Sequence, residues 1–283
     1  MPPRSTPTER QRRLGAELRK MRIAAGMTTE FAAGLLGVPR TNVPNMESGR
    51  SGISAERVRT LAANYRCKDT QLVDALAAMA TARDKGWWES YRDSLAPGFL
   101  DIAEMEWHAR RLRIALTVHL PGILQTEEHA RAVFRHVIPR LPKTEIDLRV
   151  AQRIERRQVL DRPNPPSIDL LLHEAALRMQ FGGPGVARRQ LEFLLTAAER
   201  EHVTVRVIPF DAGGFPGAGQ SVIYAEAAVP QLDVVELDSI HGPEFIDDES
   251  QLRKYRAQLD EMQTVALAPD ASRDFVRAIA NDL

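Results

Sequence analysis

The sequence has little cysteine and no long apolar run, and both absences narrow the class of protein. A single cysteine, Cys67, excludes an intramolecular disulfide and favours a reducing compartment. No uninterrupted run of about 18 apolar residues is present to form a membrane-spanning helix. The basic start, MPPRSTPTERQRR, is followed by no apolar signal-peptide core. We therefore expect a cytoplasmic protein without a membrane segment.

Residue types that perform chemistry are present, but not at the spacings that the chemistry requires. His119, His173 and His241 fall at or near predicted strand ends, and no pair of them is spaced to place two metal ligands on one face. HEAALR (173–178) begins like a zinc-protease motif but lacks the second histidine four residues on. No serine elbow, Cys–His pair or isolated carboxylate pair is evident. The sequence thus predicts no catalytic residue, no metal site and no cofactor.

Glycine-rich and acidic segments each allow two interpretations, and the structural one is favoured for both. Residues 182–185 and 211–219 keep the order of neither a dinucleotide loop nor a phosphate loop, so turns are predicted there. The acidic run ELDSIHGPEFIDDE (236–249) could bind a cation or a basic partner. A solvated loop is the favoured prediction for this run.

The chain has no net charge, but the charge is divided unevenly along it. Residues 1–66 contain 12 Lys and Arg against 5 Asp and Glu, a net charge of +7, whereas residues 67–283 contain 26 against 33, a net charge of −7. A length of 283 residues with 43% hydrophobic residues favours a small domain and a larger one. A basic first part indicates a polyanionic partner, although arginines that merely solvate helix faces are the alternative.

The first 80 residues have the pattern of five short helices. Apolar residues recur at helical spacing in each of them, and capping residues mark where helices begin and end. The predicted N-caps are Thr8, which forms a capping box with Gln11, and Thr28, Ser54 and Asp69. The glycines predicted to end the first two helices are Gly26 and Gly37. These features predict a compact helical bundle.

Residues 28–48 fit the plan of a helix-turn-helix, in which the second helix enters the major groove of double-stranded DNA. Val43 and Met46 are expected to point inward, which leaves polar residues facing outward. Guanidinium, carboxamide and methyl groups are the side-chain groups that read guanine, adenine and thymine edges. The predicted DNA-binding set adds the residues at the start of the preceding helix and one phosphate contact to these outward residues. It consists of Thr28, Thr29, Arg40, Thr41, Asn42, Asn45 and Arg50.

Pro44 lies in the middle of the proposed reading segment, TNVPNMESGR (41–50). Proline costs about 3 kcal/mol inside a helix, but in the first turn its missing N–H breaks no intrahelical bond. If the helix begins at Asn42 or Val43, Pro44 shortens it without abolishing it. Residues ahead of a proline favour extended geometry, so Thr41 and Asn42 are expected to reach DNA from an irregular turn.

Residues 81–100, TARDKGWWESYRDSLAPGFL, interrupt the helical pattern and end in a Pro-Gly break. We predict a joint between domains here. Its aromatic residues, Trp87, Trp88 and Tyr91, are expected to dock domain on domain or subunit on subunit, with binding of a base or cofactor as the alternative.

Beyond residue 100, extended and helical patterns alternate. The β-rich runs are 114–120, 167–173, 203–210, 220–226 and 232–238. The helical patterns are 125–137, 144–160, 186–200, 247–265 and 271–281. Because three strands are nearly consecutive, this order favours an α+β fold over a doubly wound sheet. The predicted organisation is an all-α helix-turn-helix bundle (1–80), an aromatic joint (81–100) and a larger mixed α/β sensing or interaction domain (101–283).

The segment LRKMRIAAGMTTEFAAGLLGV, followed by ESGR, resembles the phage-repressor or Xre-type helix-turn-helix family over about 50 residues. This resemblance implies that an arginine of the first helix pairs with the glutamate at the end of the recognition helix. The structural ion pair would be Arg19 or Arg22 with Glu47. The sequence departs from the family at Thr29, where glutamine is usual, and at Pro44, where a polar residue is usual.

The larger region resembles the C-terminal domain of actinobacterial helix-turn-helix regulators, among them the WhiJ-like developmental regulators. The similar phrases are RVRTLAANY, GWWESYRD, PGILQTEEHARAVF, HEAALRMQFGG, VTVRVIPFDAGGFPG, PQLDVVELD, GPEFIDDESQLRKYRAQLD and SRDFVRAIA. This resemblance implies a DNA-binding transcriptional regulator that associates with the nucleoid when bound to DNA. It also implies a signal from a ligand or from a small partner protein encoded nearby.

Three functional hypotheses follow, and the leading one is a sequence-specific transcriptional regulator that is not an enzyme. A homodimer is expected, because two half-sites multiply the specificity of a short reading element. The first alternative is an enzyme of unknown reaction in the C-terminal domain, with the helix-turn-helix as a targeting module. The second is a protein-binding bundle that does not contact DNA.

Overall fold

A computed structural model describes residues 6–81 and 86–283, so residues 82–85 of the predicted joint lie outside the described residues. The chain divides into two compact units. Unit 1 comprises Met1–Met105 and Ala228–Leu232, and unit 2 comprises Glu106–Ala227 and Asp233–Leu283. No helix in the described part of the chain is both long enough and apolar enough to cross a bilayer.

Unit 1 is helical. Its helices are α1 (Glu9–Ala24), α2 (Thr29–Leu36), α3 (Asn42–Glu47), α4 (Ala55–Asn64), α5 (Thr70–Thr81) and the first part of α6 (Pro97–His108). The five helices predicted for the first 80 residues are therefore confirmed. Their core consists of apolar side chains at helical spacing, for example Leu18 on α1, Leu61 on α4 and Leu76 on α5, each at most 2% exposed.

The helix ends of unit 1 follow from local capping. The Thr8 side chain accepts a hydrogen bond from the backbone N–H of Gln11, whose own side chain returns to the Thr8 backbone, so the predicted capping box of α1 is confirmed. The Thr28 side chain caps α2 by accepting a hydrogen bond from the backbone N–H of Phe31. Gly37 ends α2 in the left-handed conformation, with φ of 62°. This conformation costs glycine little because it has no Cβ.

The Pro-Gly pair that suggested a break is the first turn of α6. Pro97 is its first residue, a position where proline's missing N–H breaks no helical bond. Asp101 on this helix accepts a hydrogen bond from the N–H of Glu9 at 2.9 Å and thereby ties α6 to the start of α1. The joint aromatics pack on one another within unit 1, with Trp87 edge-on to Trp88 and to Tyr91 at ring distances of 5.8 and 6.1 Å.

Unit 2 is built on one six-stranded mixed sheet. Its strands are β1 (Arg111–Leu116), β2 (Ser167–His173), β3 (Val203–Ile208), β4 (Val222–Glu226), β5 (Val234–Ser239) and β6 (Gly242–Ile246). The order across the sheet is β3-β2-β1-β4-β5-β6. The first three strands are parallel to one another, and the pairings on the other side of β1 are antiparallel. The predicted α+β class is confirmed.

Six helices accompany the sheet of unit 2. They are α7 (Glu127–Phe134), α8 (Lys143–Glu155), α9 (Glu174–Arg178), α10 (Pro184–Ala197), α11 (Glu249–Thr264) and α12 (Pro269–Asp282). On one face, Leu252, Leu259 and Met262 of α11 pack in a cluster with Tyr224 of β4 and Val235 of β5. Each of these five side chains is at most 1% exposed, so this cluster is a core of unit 2.

Two strand predictions for unit 2 were wrong. β1 begins at Arg111, three residues before the predicted run, because its arginines have partners: Arg111 bonds Asp169 on β2 at 2.5 Å. The acidic run 236–249 is not a solvated loop. It contains the end of β5, all of β6 and the start of α11. The charged residues of this run resemble a loop, and the strand was therefore not predicted. Pro243 is tolerated in β6 because, among the described strands, β6 pairs with β5 alone.

Candidate nucleic-acid interface

Helix α3 of unit 1 has one buried face and one polar face. Val43 and Met46 are 1% and 4% exposed, so the prediction that they point inward is confirmed. On the other side, Arg40 and Thr41 are exposed just before α3, and Asn42 and Asn45 are half-buried on it. The four predicted base-reading residues therefore share the outer side of one short segment and retain access to solvent.

Pro44 is the third residue of α3, in the first turn, where its missing N–H is one that the helix leaves unused. The expectation of extended geometry before it was wrong. Thr41 has right-handed helical angles (φ −75°, ψ −16°), and Asn42 is the first residue of the helix. Burial of Val43 accounts for this difference, because packing of that side chain favours the helical conformation over the local preference of a pre-proline residue. Asn45 N–H to Thr41 O, at 3.3 Å, is the first intrahelical bond after the proline.

A buried ion pair fixes the end of α3. Arg22 on α1 donates from Nε to Glu47 Oε1 at 2.6 Å and from Nη2 to Glu47 Oε2 at 3.0 Å. Its Nη1 donates to the carbonyl oxygen of Met27 at 2.7 Å, so the same guanidinium also holds the turn between α1 and α2. Of the two candidate arginines, Arg22 makes the pair with Glu47, whereas Arg19 is exposed on α1.

The ion pair affects nearby ionisation. The hydrogen bond to Glu47 raises the pKa of Arg22. Burial, and then the charge of Glu47, raise the pKa of Tyr65 to about 12, so the phenol stays neutral at physiological pH. Tyr65, at the end of α4, is only 4% exposed. The pair is therefore enclosed by protein, and its two parallel hydrogen bonds are charge-assisted.

Two glycines allow α3 to approach α1 closely, and sequence reasoning missed both. A Cβ on Gly15 of α1 would lie 2.4 Å from the carbonyl oxygen of Glu47 and 2.6 Å from that of Met46. Gly49, just after α3, has φ of +72°, and a Cβ there would lie 2.9 Å from the backbone of Gln11. Helical periodicity could not identify these residues, because the contacts join Gly15 to Glu47 and Gly49 to Gln11, which lie far apart in the sequence.

The start of α2 lies close to the beginning of the reading segment. Thr28 is exposed and Thr29 half-buried, and Thr29 Oγ1 donates to Glu30 Oε2 at 3.2 Å. Hydrogen bonds from its own backbone N–H and from Thr29 lower the pKa of Glu30, and the charge of Arg40 lowers it further. Arg40 thus lies within electrostatic range of the α2 N-terminus. Arg50 is exposed beyond α3.

The remaining motifs have structural roles in unit 2. His173 of HEAALR caps α9, because its Nδ1 accepts a hydrogen bond from the N–H of Ala175 at 3.3 Å. The predicted turns are found in part of the glycine-rich segments, with positive φ at Gly182, Gly183, Gly213 and Gly217. Pro184 and Gly185 instead begin α10, and Asp211 and Ala212 end a short 3-10 helix. Among residues 6–81 and 86–283, no group of three or more His, Cys, Asp or Glu side chains is placed to hold a metal ion.

Exposed apolar side chains lie at one edge of the unit 2 sheet. Five large apolar side chains of the described part of unit 2 are exposed. Four of them follow the carboxyl ends of strands β1, β2, β3 and β5: Val118, Met179, Phe210 and Ile240. These strands all run in one direction, so the four residues lie along the same edge.

These features define a class of protein, a helix-turn-helix module joined to a mixed α/β domain. Residues 13–76 match the family described as a helix-turn-helix domain (HTH_31), which indicates a DNA-binding regulator. Residues 99–278 match the family described as a domain of unknown function (DUF5753). That match covers more than half of the chain, so the chain belongs to the DUF5753 family. No curated protein and no solved structure matches the chain.

Proposed function

We propose that this protein is a sequence-specific transcriptional regulator that reads double-stranded DNA with the segment around α3. Arg40, Thr41, Asn42 and Asn45 contact base edges in the major groove. The remaining members of the predicted set, Thr28, Thr29 and Arg50, contact the phosphate backbone. The observation that carries this proposal is the two-sided character of α3, with Val43 and Met46 buried and the polar residues outward.

The wider proposal concerns the rest of the chain. We propose an Xre-type regulator of the WhiJ-like actinobacterial group, active as a cytoplasmic homodimer and nucleoid-associated when bound to DNA. Residues 1–80 form the DNA-binding domain, 81–100 the joint and 101–283 the domain that receives a signal from a ligand or a small partner protein. The exposed apolar edge of unit 2 supports a binding role for that domain. The regulator itself is not an enzyme.

Arg40→Ala tests the reading of DNA. The full-length protein and the variant are titrated with a duplex selected for binding and with random duplex, at several salt concentrations. Loss of a bidentate contact to guanine costs about 1–3 kcal/mol of discrimination, so affinity for the selected site should fall about tenfold or more. Affinity for random duplex should fall far less.

Arg59→Ala is the matched control, because it also removes one arginine of unit 1. Arg59 lies on α4 and pairs with Asp74 on α5 at 2.9 Å. Its removal should change both affinities equally and slightly. An equal loss of affinity for selected and random duplex in Arg40→Ala would make Arg40 a phosphate contact only. Absence of any selected sequence would contradict the proposed function.

A further inference from the structure

Strands β1, β2 and β5 of unit 2 run in the same direction, so their carboxyl ends lie at one edge of the sheet. Strand β1 has the parallel strand β2 on one side and β4 on the other, so the chain leaves β1 in one direction and later returns on its opposite side. β5 runs in the same direction as β1, because both intervening pairings are antiparallel.

Three histidine rings surround one phenylalanine at this edge. Phe181, from the segment that follows β2 and α9, stacks on His119, just beyond β1, at a ring distance of 5.4 Å. The rings of His129 and His136, near the start and just past the end of α7, meet Phe181 edge-on at 5.5 and 5.8 Å. Phe181 thus brings together the segments that follow β1 and β2.

His129 is the most unusual member of this cluster. It is 2% exposed, and neither of its ring nitrogens has a hydrogen-bond partner. Leaving a buried donor or acceptor unsatisfied costs about 1–3 kcal/mol. Burial, and then the charges of His119 and Arg153, lower the pKa of His129 to about 4, so its imidazole is neutral at physiological pH. It therefore offers one N–H donor and one acceptor, both unused.

Arg153 on α8 supplies a cation next to these rings. Its guanidinium lies 4.4 Å from the ring centre of Phe134, and its Nη1 donates to Gln125 Oε1, a neutral acceptor, at 2.9 Å. Its Nε is buried and has no hydrogen-bond partner. Burial lowers the pKa of Arg153 to about 9, so the group stays protonated at neutral pH. The cation lacks a bonded carboxylate.

The nearest carboxylates do not pair with Arg153. Glu106 is already engaged by Arg156, whose Nε donates to Glu106 Oε2 at 2.8 Å. Asp238 lies past the middle of β5 and is exposed, so its influence on Arg153 is partly screened by water. A cation, a buried imidazole and an aromatic ring therefore remain without an anionic partner, and the exposed His119 and His136 place this cluster at the surface of unit 2. An organic anion is the chemical complement of this combination.

We propose that this cluster, formed by His119, His129, Arg153 and Phe181, is a binding site for a small organic carboxylate with an apolar or aromatic body. The carboxylate accepts hydrogen bonds from Arg153 Nε and from the His129 ring N–H, and the apolar body lies against Phe181. The site would serve the sensing role proposed above, and so rests on it. Its occupancy is measured without DNA, so failure of one proposal is distinguishable from failure of the other.

Sodium benzoate is the probe, and the uncharged benzamide is its matched control. The full-length protein with ¹⁵N-labelled histidine is titrated with each at constant ionic strength, and the ring nitrogen resonances are followed by NMR. Benzoate should shift the His129 resonances saturably and raise the pKa of His129, because an adjacent anion favours imidazolium. Benzamide should have little effect. An equal response to both would overturn the carboxylate assignment, and no saturable shift at millimolar benzoate would overturn the site.

Arg153→Gln should weaken benzoate binding about tenfold or more, because it removes a charge-assisted hydrogen bond. Arg149→Gln is the control on the same helix. Arg149 lies 6.0 Å from the same Phe134 ring but bonds Glu145, so affinity should stay within about twofold. If Arg153→Gln does not fold, benzoate binding is measured on His129→Leu instead, because this substitution removes an unpartnered group at little cost in packing. Unchanged affinity in either folded variant would overturn the proposal.

Discussion

The two units treat buried charge differently. In unit 1, Arg22 and Glu47 are both largely buried and satisfy each other through two hydrogen bonds, so they hold α3 against α1. Unit 2 also contains such a pair, Arg156 with Glu106. Beside that pair, however, it keeps a buried imidazole at His129 with both nitrogens unused.

A second group extends the contrast. Glu236 on β5 is 3% exposed, and burial, followed by the charges of Asp238 and Glu106, raises its pKa to about 8. Uncompensated buried groups reduce stability, so a fold retains them where they serve binding or chemistry. In unit 1 the paired charges of Arg22 and Glu47 hold α3 in place, whereas in unit 2 burial shifts the pKa values of His129 and Glu236 toward their neutral forms.

The largest expected effect is steric and lies in unit 1. Gly15→Ala would put a methyl group 2.4 Å from the carbonyl oxygen of Glu47, a backbone atom that cannot move without α3. We expect a loss in the free energy of unfolding on the order of 5 kcal/mol, with loss of DNA binding. Urea denaturation followed by circular dichroism measures it.

Gly34→Ala is the control for that substitution. Gly34 is also helical, on α2, but has open space around its Cβ position. The same substitution should leave stability unchanged or raise it by about 1 kcal/mol, because alanine is the better helix former. Similar results at both positions would mean that α3 is not held against α1 by a close backbone contact.

Arg22→Met should have the next largest effect. It leaves Glu47 buried without its partner, and breaking a buried pair in this way costs about 3 kcal/mol or more. Arg19→Met, one turn earlier on α1, replaces an exposed arginine and should change stability by less than about 0.5 kcal/mol. Equal effects in a denaturation experiment would show that the pair contributes no more than surface charge.

Local signals accounted for most of the helices and for the exposed side of the reading segment. A capping residue and apolar residues at a 3.6-residue period act within a few positions, so Thr8 and Thr28 could be identified as N-caps from the sequence. The same period separates Val43 and Met46 from the polar residues of α3. The role of those polar residues in DNA binding stays a prediction.

Contacts between distant segments could not be predicted. The choice of Arg22 over Arg19 depends on how α1 rotates against α3, and the need for glycine at position 15 depends on their separation. Strand β6 was missed because an edge strand is half-exposed, and its charges and proline resemble those of a loop. The cluster around Phe181 joins four separate segments, so no local pattern marks it.

The smallest expected effect depends on pH and concerns the buried Glu236 of unit 2. The pKa of Glu236 is about 8 in the folded protein and near the ordinary 4.5 when unfolded. The unfolded chain therefore loses this proton first as pH rises, and stability falls between about pH 4.5 and pH 8. Glu236→Gln should remove that loss, so its advantage over the parent should grow from near zero at pH 4.5 to about 2 kcal/mol at pH 6 and should grow further toward pH 8. Urea denaturation across this range measures it, with Glu244→Gln, an exposed position on β6, as the control. An advantage that does not change with pH would mean that Glu236 is compensated in the folded protein, and unit 2 would then resemble unit 1.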